Sequence, residues 1–202
     1  MKILSELKKP LLVTLVLMLL CGLCYPLLLT GISQAVLPYQ ANGSLLELDG
    51  KPIGSALVGQ DFTDPRFLQG RPSAVNYNTF TDAGTFGGVS SGSQNYGPSN
   101  PALTERVQAD MDAFLAAHPD VKAAEIPADL VTSSGSGLDP DISPASAAVQ
   151  IPQLAKNTGL SEEVLTQMVK ENTAGKFLGI FGEARVNVLG VNLAIARALD
   201  FT

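Results

Sequence analysis

The sequence predicts an α+β fold, with one N-terminal transmembrane helix followed by a single extracytoplasmic α+β domain. Between Lys9 and Glu47 the chain carries no charged residue. Beyond Glu47, segments with helical spacing of apolar residues alternate with short apolar runs bounded by glycine and proline. Hydrophobic residues make up 46% of the chain, enough for one folded core besides the apolar N-terminal segment.

Residues 11–29 are almost purely apolar and meet the requirement of roughly 20 residues for a helix that crosses hydrocarbon. We predict a cytoplasmic N-terminus at residues 1–9, a transmembrane helix at residues 10–36 and a periplasmic α+β domain at residues 37–202. Charge sets this orientation: residues 1–9 hold three lysines and one glutamate, whereas the chain after the span holds ten Lys or Arg and eighteen Asp or Glu, a net charge of −8.

Two alternatives concern this segment. Ser33-Gln34-Ala35 has the small residues that a signal peptidase requires, but the apolar run exceeds the usual signal length of about 7 to 15 residues, so a retained anchor is favoured. Cys21 and Cys24 form a CxxC pattern inside the apolar run, where no polar neighbour lowers a thiol pKa. We interpret them as packing residues rather than a disulfide-exchange site.

The first part of the exported domain predicts two short strands and a long loop. Leu45 to Leu48 and Gly54 to Gln60 have the apolar runs of strands. Residues 63–100 are rich in Gly, Ser, Asn, Thr and Pro, which favours turns over a long helix. We expect this loop to be ordered because it has aromatic side chains to bury: Phe67, Tyr77, Phe80, Phe86 and Tyr96.

A first helix is predicted after residue 100. Asn100 can cap its free N–H groups, Pro101 suits its first position, and His118-Pro119 ends it. Its apolar residues recur at helical spacing and predict a face turned to the core: Leu103, Val107, Met111, Phe114 and Leu115.

Further helices are predicted towards the C-terminus. A second begins at Ser143-Pro144, and Pro152 is expected to kink it or divide it into two. Gly159 ends that segment, and Ser161 begins a third helix that runs to about Asn172. Residues 176–188 have a strand-like pattern with glycine breaks, and residues 187–199 predict a final amphipathic helix.

The stretch SSGSGLDPDISP, residues 133–144, resembles at first sight a loop that binds phosphate. A P-loop requires a lysine, and the chain has none between Lys122 and Lys156. Asp139 and Asp141 add negative charge near the place of the phosphate. A capped structural turn is therefore favoured, although the N–H groups at the following helix start leave anion binding open.

Other chemistry has little support in the sequence, and we expect no catalytic or metal site. His118 is the only histidine, and no serine lies in a GxSxG motif. Asp129, Asp139 and Asp141 match no calcium loop, so we interpret them as solvated loop acids. A net charge of −8 argues against nucleic-acid binding. An anchored, exported domain of this kind is expected to act by contact with a partner.

Four motifs occur in a characteristic order behind the apolar segment: GSALVGQDFTDPRFLQGRPSAVNYN, GPSNPAL, DLVTSSGSGLDPDISPASAAVQ and GEARVNVLGVNLA. With them, the chain from residue 10 to residue 195 closely resembles the C subunits of the bacterial Kdp-type potassium-transporting ATPases. The resemblance implies a non-catalytic subunit of an inner-membrane complex that imports K⁺ at the expense of ATP. It also implies three partners besides membrane lipid: a channel-like potassium-binding subunit, a P-type ATPase subunit and a small single-span subunit. ATP and K⁺ would be handled by the complex, with no cofactor bound by this subunit.

Two functional hypotheses follow for the exported domain. In the first it docks on its partners, through polar residues for which we propose Arg71, Asn76, Asn100, Asp139 and Arg185, while motif glycines such as Gly70, Gly135 and Gly137 serve backbone geometry. In the second it is a chaperone that raises the ATP affinity of the ATPase subunit by direct contact with nucleotide through Ser133, Ser134, Gly135, Ser136 and Gly137. The charge asymmetry favours the first, because it separates the loop from cytoplasmic ATP. An anchored hydrolase with a Ser–Lys site is a third and weaker alternative.

Overall fold

The computed structural model of the chain describes residues 2–79 and 89–201, with side chains from Glu6 onward. Phe80 and Phe86, two of the aromatic residues expected to anchor the long loop, lie outside the described residues. The chain divides into two compact units, Met1–Leu45 and Leu46–Thr202.

The N-terminal unit is helical. It consists of α1 (Lys2–Leu19), a π-helical turn (Leu20–Cys24), α2 (Tyr25–Val36) and the short α3 (Pro38–Ala41). The continuous stretch Glu6–Val36, whose most apolar 18-residue window has a mean hydropathy of 2.5, is the one helix of the described residues that is long and apolar enough to cross a membrane. The predicted span at residues 10–36 lies within it. The helix begins earlier than predicted, because Pro10 is accommodated inside α1.

The π-helical turn has a cause in the sequence. Pro26 has no N–H to donate to the preceding turn, and the N–H of Tyr25 bonds to the carbonyl of Leu20 five residues back. The helix is therefore widened by one residue next to the proline. Cys21 and Cys24 both lie in this turn as free thiols.

The second unit begins with a two-stranded sheet of β1 (Leu45–Leu48) and β2 (Lys51–Ser55). The first predicted strand is confirmed. The second, placed at residues 54–60, is wrong beyond Ser55, because the N–H of Val58 turns back to the carbonyl of Ser55. The next N–H, that of Gly59, pairs with the carbonyl of Leu138 in a distant loop.

A second sheet has three short antiparallel strands in the order β3-β5-β4: β3 (Asp141–Ile142), β5 (Arg185–Asn187) and β4 (Thr173–Ala174). Val186 on the central strand is opposite both Ile142 and Thr173 and is fully buried. The strand-like pattern predicted over residues 176–188 forms a strand only in β5. Residues 176–182 instead make a tight hairpin with one bridge, between Phe177 and Phe181.

Helix α4 (Pro101–Ala117) confirms the first predicted helix. The Asn100 side chain accepts a hydrogen bond from the N–H of Ala102, and His118 follows the last residue. Of its apolar stripe only Phe114 is buried, and the remaining members are half-buried. Helix α4 therefore lies at the edge of the core.

Helix α5 (Pro144–Thr158) is continuous through Pro152, so the expected division into two helices is wrong, while the alternative expectation of a kink stays a prediction. Pro152 and Ala148, whose carbonyl loses its helical partner there, are both exposed. Water can therefore replace the missing bond. Gly159 ends α5 with a φ of +76°, and Ser161 caps α6 (Glu162–Glu171), both as predicted.

The last helix, α7 (Val188–Ala198), confirms the predicted amphipathic helix: Gly190, Ala194, Arg197 and Ala198 are half-buried or exposed on one side, and the opposite side is buried. Seven of its residues are buried: Val188, Leu189, Val191, Asn192, Leu193, Ile195 and Ala196. Three of them, Val188, Val191 and Ile195, pack with buried side chains of α5, α6 and the three-stranded sheet into one hydrophobic cluster. The fully buried Leu68, from the loop within the first motif, GSALVGQDFTDPRFLQGRPSAVNYN, belongs to the same cluster.

Two buried amide side chains hold that loop on the core. Asn192 accepts a hydrogen bond from the N–H of Leu68 at 2.7 Å and donates one to its carbonyl at 2.9 Å. Gln150 pairs in the same way with the N–H and carbonyl of Gln69, at 2.9 and 3.2 Å. Each amide thus replaces a strand partner for one residue of the backbone, and both are at most 2% exposed.

We expect the substitution Gln150→Leu to lower the free energy of unfolding by about 2–3 kcal/mol, because it leaves the backbone N–H and C=O of Gln69 without partners at nearly constant volume. Chemical denaturation of the full chain in detergent measures this. Gln167→Leu is the matched control, since Gln167 is exposed and its side chain bonds, among the described residues, only to Glu171 on its own helix. Equal effects of the two substitutions would contradict the role assigned to Gln150.

Candidate functional site

The Ser-Gly loop, residues 133–137, is folded onto its own backbone. The Ser134 hydroxyl accepts a hydrogen bond from the N–H of Gly137 at 2.7 Å, and Ser134 is only 2% exposed. The Ser136 hydroxyl accepts one from the N–H of Leu138 at 3.1 Å. These hydroxyls stabilise a turn that carries the chain into β3.

Residues of the first motif, which spans positions 54–78, contact the Ser-Gly loop. The Ser73 hydroxyl donates to the carbonyl of Gly137 at 2.6 Å, and the N–H of Ser134 donates to the carbonyl of Pro72 at 3.2 Å. Gly137 has a φ of +67°, and a Cβ there would lie 2.7 Å from Val75 and 2.8 Å from the carbonyl oxygen of Gly92. Position 137 therefore requires glycine.

Gly135 differs from Gly137. Its φ lies outside the left-handed region, and a Cβ there would meet nothing within 4 Å. The expected role of Gly135 in backbone geometry is therefore wrong, whereas that of Gly137 is confirmed.

Arg71 stabilises this loop by hydrogen bonds from its guanidinium group. Its Nη1 donates to the Asp139 carboxylate at 2.8 Å, and its Nε and Nη2 lie 3.3–3.4 Å from the carbonyl oxygens of Thr132 and Ser133. All three guanidinium nitrogens are thus committed within the domain. Asp139 in turn accepts the N–H of Asp141, so both partners of the ion pair serve the turn.

Tyr77 locks the same region. Its hydroxyl donates to the carbonyl of Arg71 at 2.6 Å. Burial, followed by the charges of Asp139 and Asp61, raises the pKa of Tyr77 to about 12. The phenol is therefore protonated at neutral pH and can donate this hydrogen bond. It is the centre of a left-handed turn, in which Asn76, Tyr77 and Asn78 all have φ between 48° and 55°.

Arg185 forms the second ion pair of the region. Its Nε lies 2.9 Å from the Asp141 carboxylate, and the Arg185 side chain is 60% exposed. Its two terminal nitrogens make no hydrogen bond within residues 2–79 and 89–201. Burial raises the pKa of Asp141, while the hydrogen bond from Asn187 and the charge of Arg185 oppose that rise.

Asp129 is held by hydroxyl groups. Its carboxylate accepts from Ser146 Oγ, from the N–H of Ser143 at 2.7 Å and from Ser143 Oγ at 3.1 Å. Burial alone would raise the pKa of Asp129, but these hydrogen bonds outweigh it and hold the pKa below its usual range. The description of Asp129, Asp139 and Asp141 as solvated loop acids is therefore wrong, since each has a partner within the domain.

The two ion pairs line one open cleft of about 540 Å³. We call it the ionic cleft; its lining includes Arg71, Asp129, Asp139, Asp141, Ser143, Glu183 and Arg185. Among the residues described, no group of His, Cys, Asp and Glu side chains is placed to hold a metal ion. The chemistry of the cleft is thus that of charged hydrogen bonding.

The ionic cleft brings together three of the five proposed docking residues: Arg71, Asp139 and Arg185. Asn100 instead caps α4, and Asn76 lies exposed in the left-handed turn. Sequence reasoning missed the roles of Tyr77, Asp129 and Gln150. Asp129 binds Ser143, 14 residues away in the chain, and Gln150 binds Gln69, 81 residues away, so no local pattern indicates these contacts.

The chain is similar to known proteins over nearly its full length. A family model described as "K+-transporting ATPase, c chain" matches residues 7–197. A curated potassium-transporting ATPase KdpC subunit from Clostridium kluyveri is 64% identical over 95% of this chain and 93% of its own. KdpC subunits from Clostridioides difficile and Bacillus cereus are 54% and 48% identical, covering 96% and 93% of this chain and 98% and 93% of their own.

The glycines of the loop provide a matched test of the turn. We expect Gly137→Ala to lower stability by about 1–3 kcal/mol, because it places a side chain at positive φ against Val75 and the Gly92 carbonyl. Gly135→Ala should change stability by less than about 0.5 kcal/mol. The measurement is the thermal midpoint of each full-length variant in detergent. A destabilised Gly135→Ala beside an unaffected Gly137→Ala would contradict the geometry.

Proposed function

The chain belongs to the KdpC family, the C chains of the K⁺-transporting ATPases, and from this premise we propose that it is a non-catalytic subunit that stabilises its complex by docking. The observation that carries the proposal is the use of the Ser-Gly loop. The hydroxyls of Ser134 and Ser136 accept the N–H groups of Gly137 and Leu138. Arg71 binds carbonyls and Asp139 rather than facing solvent. A loop whose polar groups bind other groups of the same domain is suited to hold a docking surface in a fixed shape.

The proposed setting is the bacterial inner membrane. The stretch Glu6–Val36 spans it once, with the lysine-bearing N-terminus in the cytoplasm and the second unit in the periplasm. The proposed partners are the channel-like potassium-binding subunit, the P-type ATPase subunit and the small single-span subunit, together with surrounding lipid. In this arrangement ATP and K⁺ are bound by those partners.

The docking contact we propose is Arg185. Asp141 contacts its guanidinium at Nε, and the two terminal nitrogens have no hydrogen-bond partner among the described residues. Such a fork matches a carboxylate or a pair of carbonyl oxygens on another subunit. Arg71 is a positioning residue for the same cleft, since its three guanidinium nitrogens bind the carbonyls of Thr132 and Ser133 and the Asp139 carboxylate.

One observation favours the second candidate function, direct contact with nucleotide. The N–H groups of Gly135 and Ser136 make no hydrogen bond within the described part of the chain, so two donors remain for a phosphate. Against it, the nearest guanidinium is neutralised by Asp139, and Asp141 adds negative charge. The two functions also place the loop on opposite sides of the membrane.

The side of the membrane on which residue 136 lies therefore separates the two functions. We expect Ser136→Cys, in a chain with Cys21→Ser and Cys24→Ser, to react with a membrane-impermeant thiol reagent on intact spheroplasts. Lys8→Cys in the same background is the control and should react only after the membrane is opened. If Ser136→Cys behaves like Lys8→Cys, the orientation is wrong and nucleotide contact becomes the leading function.

The docking role of Arg185 has its own test. We expect Arg185→Ala to reduce the amount of the other subunits that co-purifies with the tagged chain at least about fivefold, as for an arginine central to an interface. Arg185→Lys should restore only part of it, because lysine lacks the planar fork. Arg197→Ala is the control, being an exposed arginine with one hydrogen bond, to the carbonyl of Glu47. Equal co-purification of all three variants would refute the contact.

A further inference from the structure

An exposed hairpin between β4 and β5 carries the most accessible large apolar side chains of the second unit's C-terminal half. Phe177, Leu178, Ile180 and Phe181 are 71%, 74%, 74% and 63% exposed. Isolated exposed apolar residues are common, but four of them within five positions form a continuous patch. We call residues 177–182 the apolar tip.

Most of the backbone N–H groups of the apolar tip are paired within the hairpin. Phe177 and Phe181 exchange both N–H···O=C bonds, at 2.8 and 3.0 Å. The N–H of Gly179 bonds to the carbonyl of Lys176, and that of Ile180 to the carbonyl of Phe177. Four of the tip's six N–H groups are therefore paired within the hairpin. Little of its main chain remains to extend a strand of another protein, so the apolar side chains are what it offers.

The charge pattern agrees with an apolar environment. No residue of the apolar tip is charged, and the nearest charges are Lys176 and Glu183 on its two flanks. Phe and Leu side chains bordered by a basic residue are typical of segments that rest in a membrane interface. Paired backbone groups are the other requirement of that environment, because hydrocarbon offers no hydrogen bonds.

We propose that the apolar tip inserts into the lipid interface of the membrane that the N-terminal helix spans. This inference rests on the proposed function, in which that helix anchors the chain. The helix ends at Val36 and the second unit begins at Leu46. The residues between them can reach at most about 30 Å even when fully extended. The domain is therefore held permanently near a bilayer, and a tip of this size can bury its side chains about 5–10 Å into the interface.

The absence of tryptophan from the whole chain makes the insertion measurable. Ile180→Trp introduces a single reporter at the tip of the full-length chain. The protein is reconstituted into vesicles of phosphatidylcholine and phosphatidylglycerol whose acyl chains are brominated, and its fluorescence is compared with that in unbrominated vesicles. We expect bromine to quench at least about half of the emission, since quenching requires contact with the acyl chains.

Two matched variants serve as the positive and negative controls of this measurement. Leu17→Trp, within the apolar stretch of α1, should be quenched if the helix lies in the bilayer, and Val89→Trp, at a 77% exposed position in another loop, should not be. Quenching of Leu17→Trp without quenching of Ile180→Trp overturns the insertion of the tip and leaves the anchor intact. Failure of Leu17→Trp overturns the anchor itself. Equal quenching at Ile180 and Val89 also overturns the proposal, because the contact would not be specific to the tip.

Discussion

The pairing of two buried amide side chains with the backbone of Leu68 and Gln69 is the constraint on which the second unit depends. Asn192 of α7 and Gln150 of α5 supply the partners that a neighbouring strand would supply in a sheet. The loop can therefore cross the core without unsatisfied polar groups. Arg71 and Pro72 follow directly in the chain, so their contacts with the Ser-Gly loop are fixed by the same pairing.

The elements that could be predicted from sequence are those with local causes. Asn100, Ser143 and Ser161 cap helices, and Gly159 ends one, because capping depends only on residues within a turn of each other. The failures depend on distant residues. Gly59 pairs with Leu138 instead of extending the predicted strand, and Asp129 accepts hydrogen bonds from Ser143 and Ser146 instead of lying solvated in a loop. The spacing of apolar residues along the chain reveals neither of these contacts.

The same limit applies to the candidate site. Sequence motifs identified Arg71 and Arg185 as polar candidates of equal standing, but only coordinates show that every nitrogen of one is committed within the domain while two of the other are not. The number of unused donors is a property of the folded environment, and it separates a positioning arginine from one available to a partner. Gly135 and Gly137 were indistinguishable in sequence for a similar reason, since φ is set by the surrounding loop.

The left-handed turn at Asn76, Tyr77 and Asn78 has a consequence for folding. A left-handed conformation costs about 1–2 kcal/mol for a residue such as tyrosine, so an isolated chain would rarely adopt three in succession. The turn is held by contacts with other residues: the Tyr77 hydroxyl donates to the Arg71 carbonyl, and the Ser73 hydroxyl accepts the N–H of Tyr77. We therefore expect this segment to form cooperatively with those contacts. The ionic cleft would then be complete only in a subunit that has finished folding, which makes docking competence a readout of correct folding.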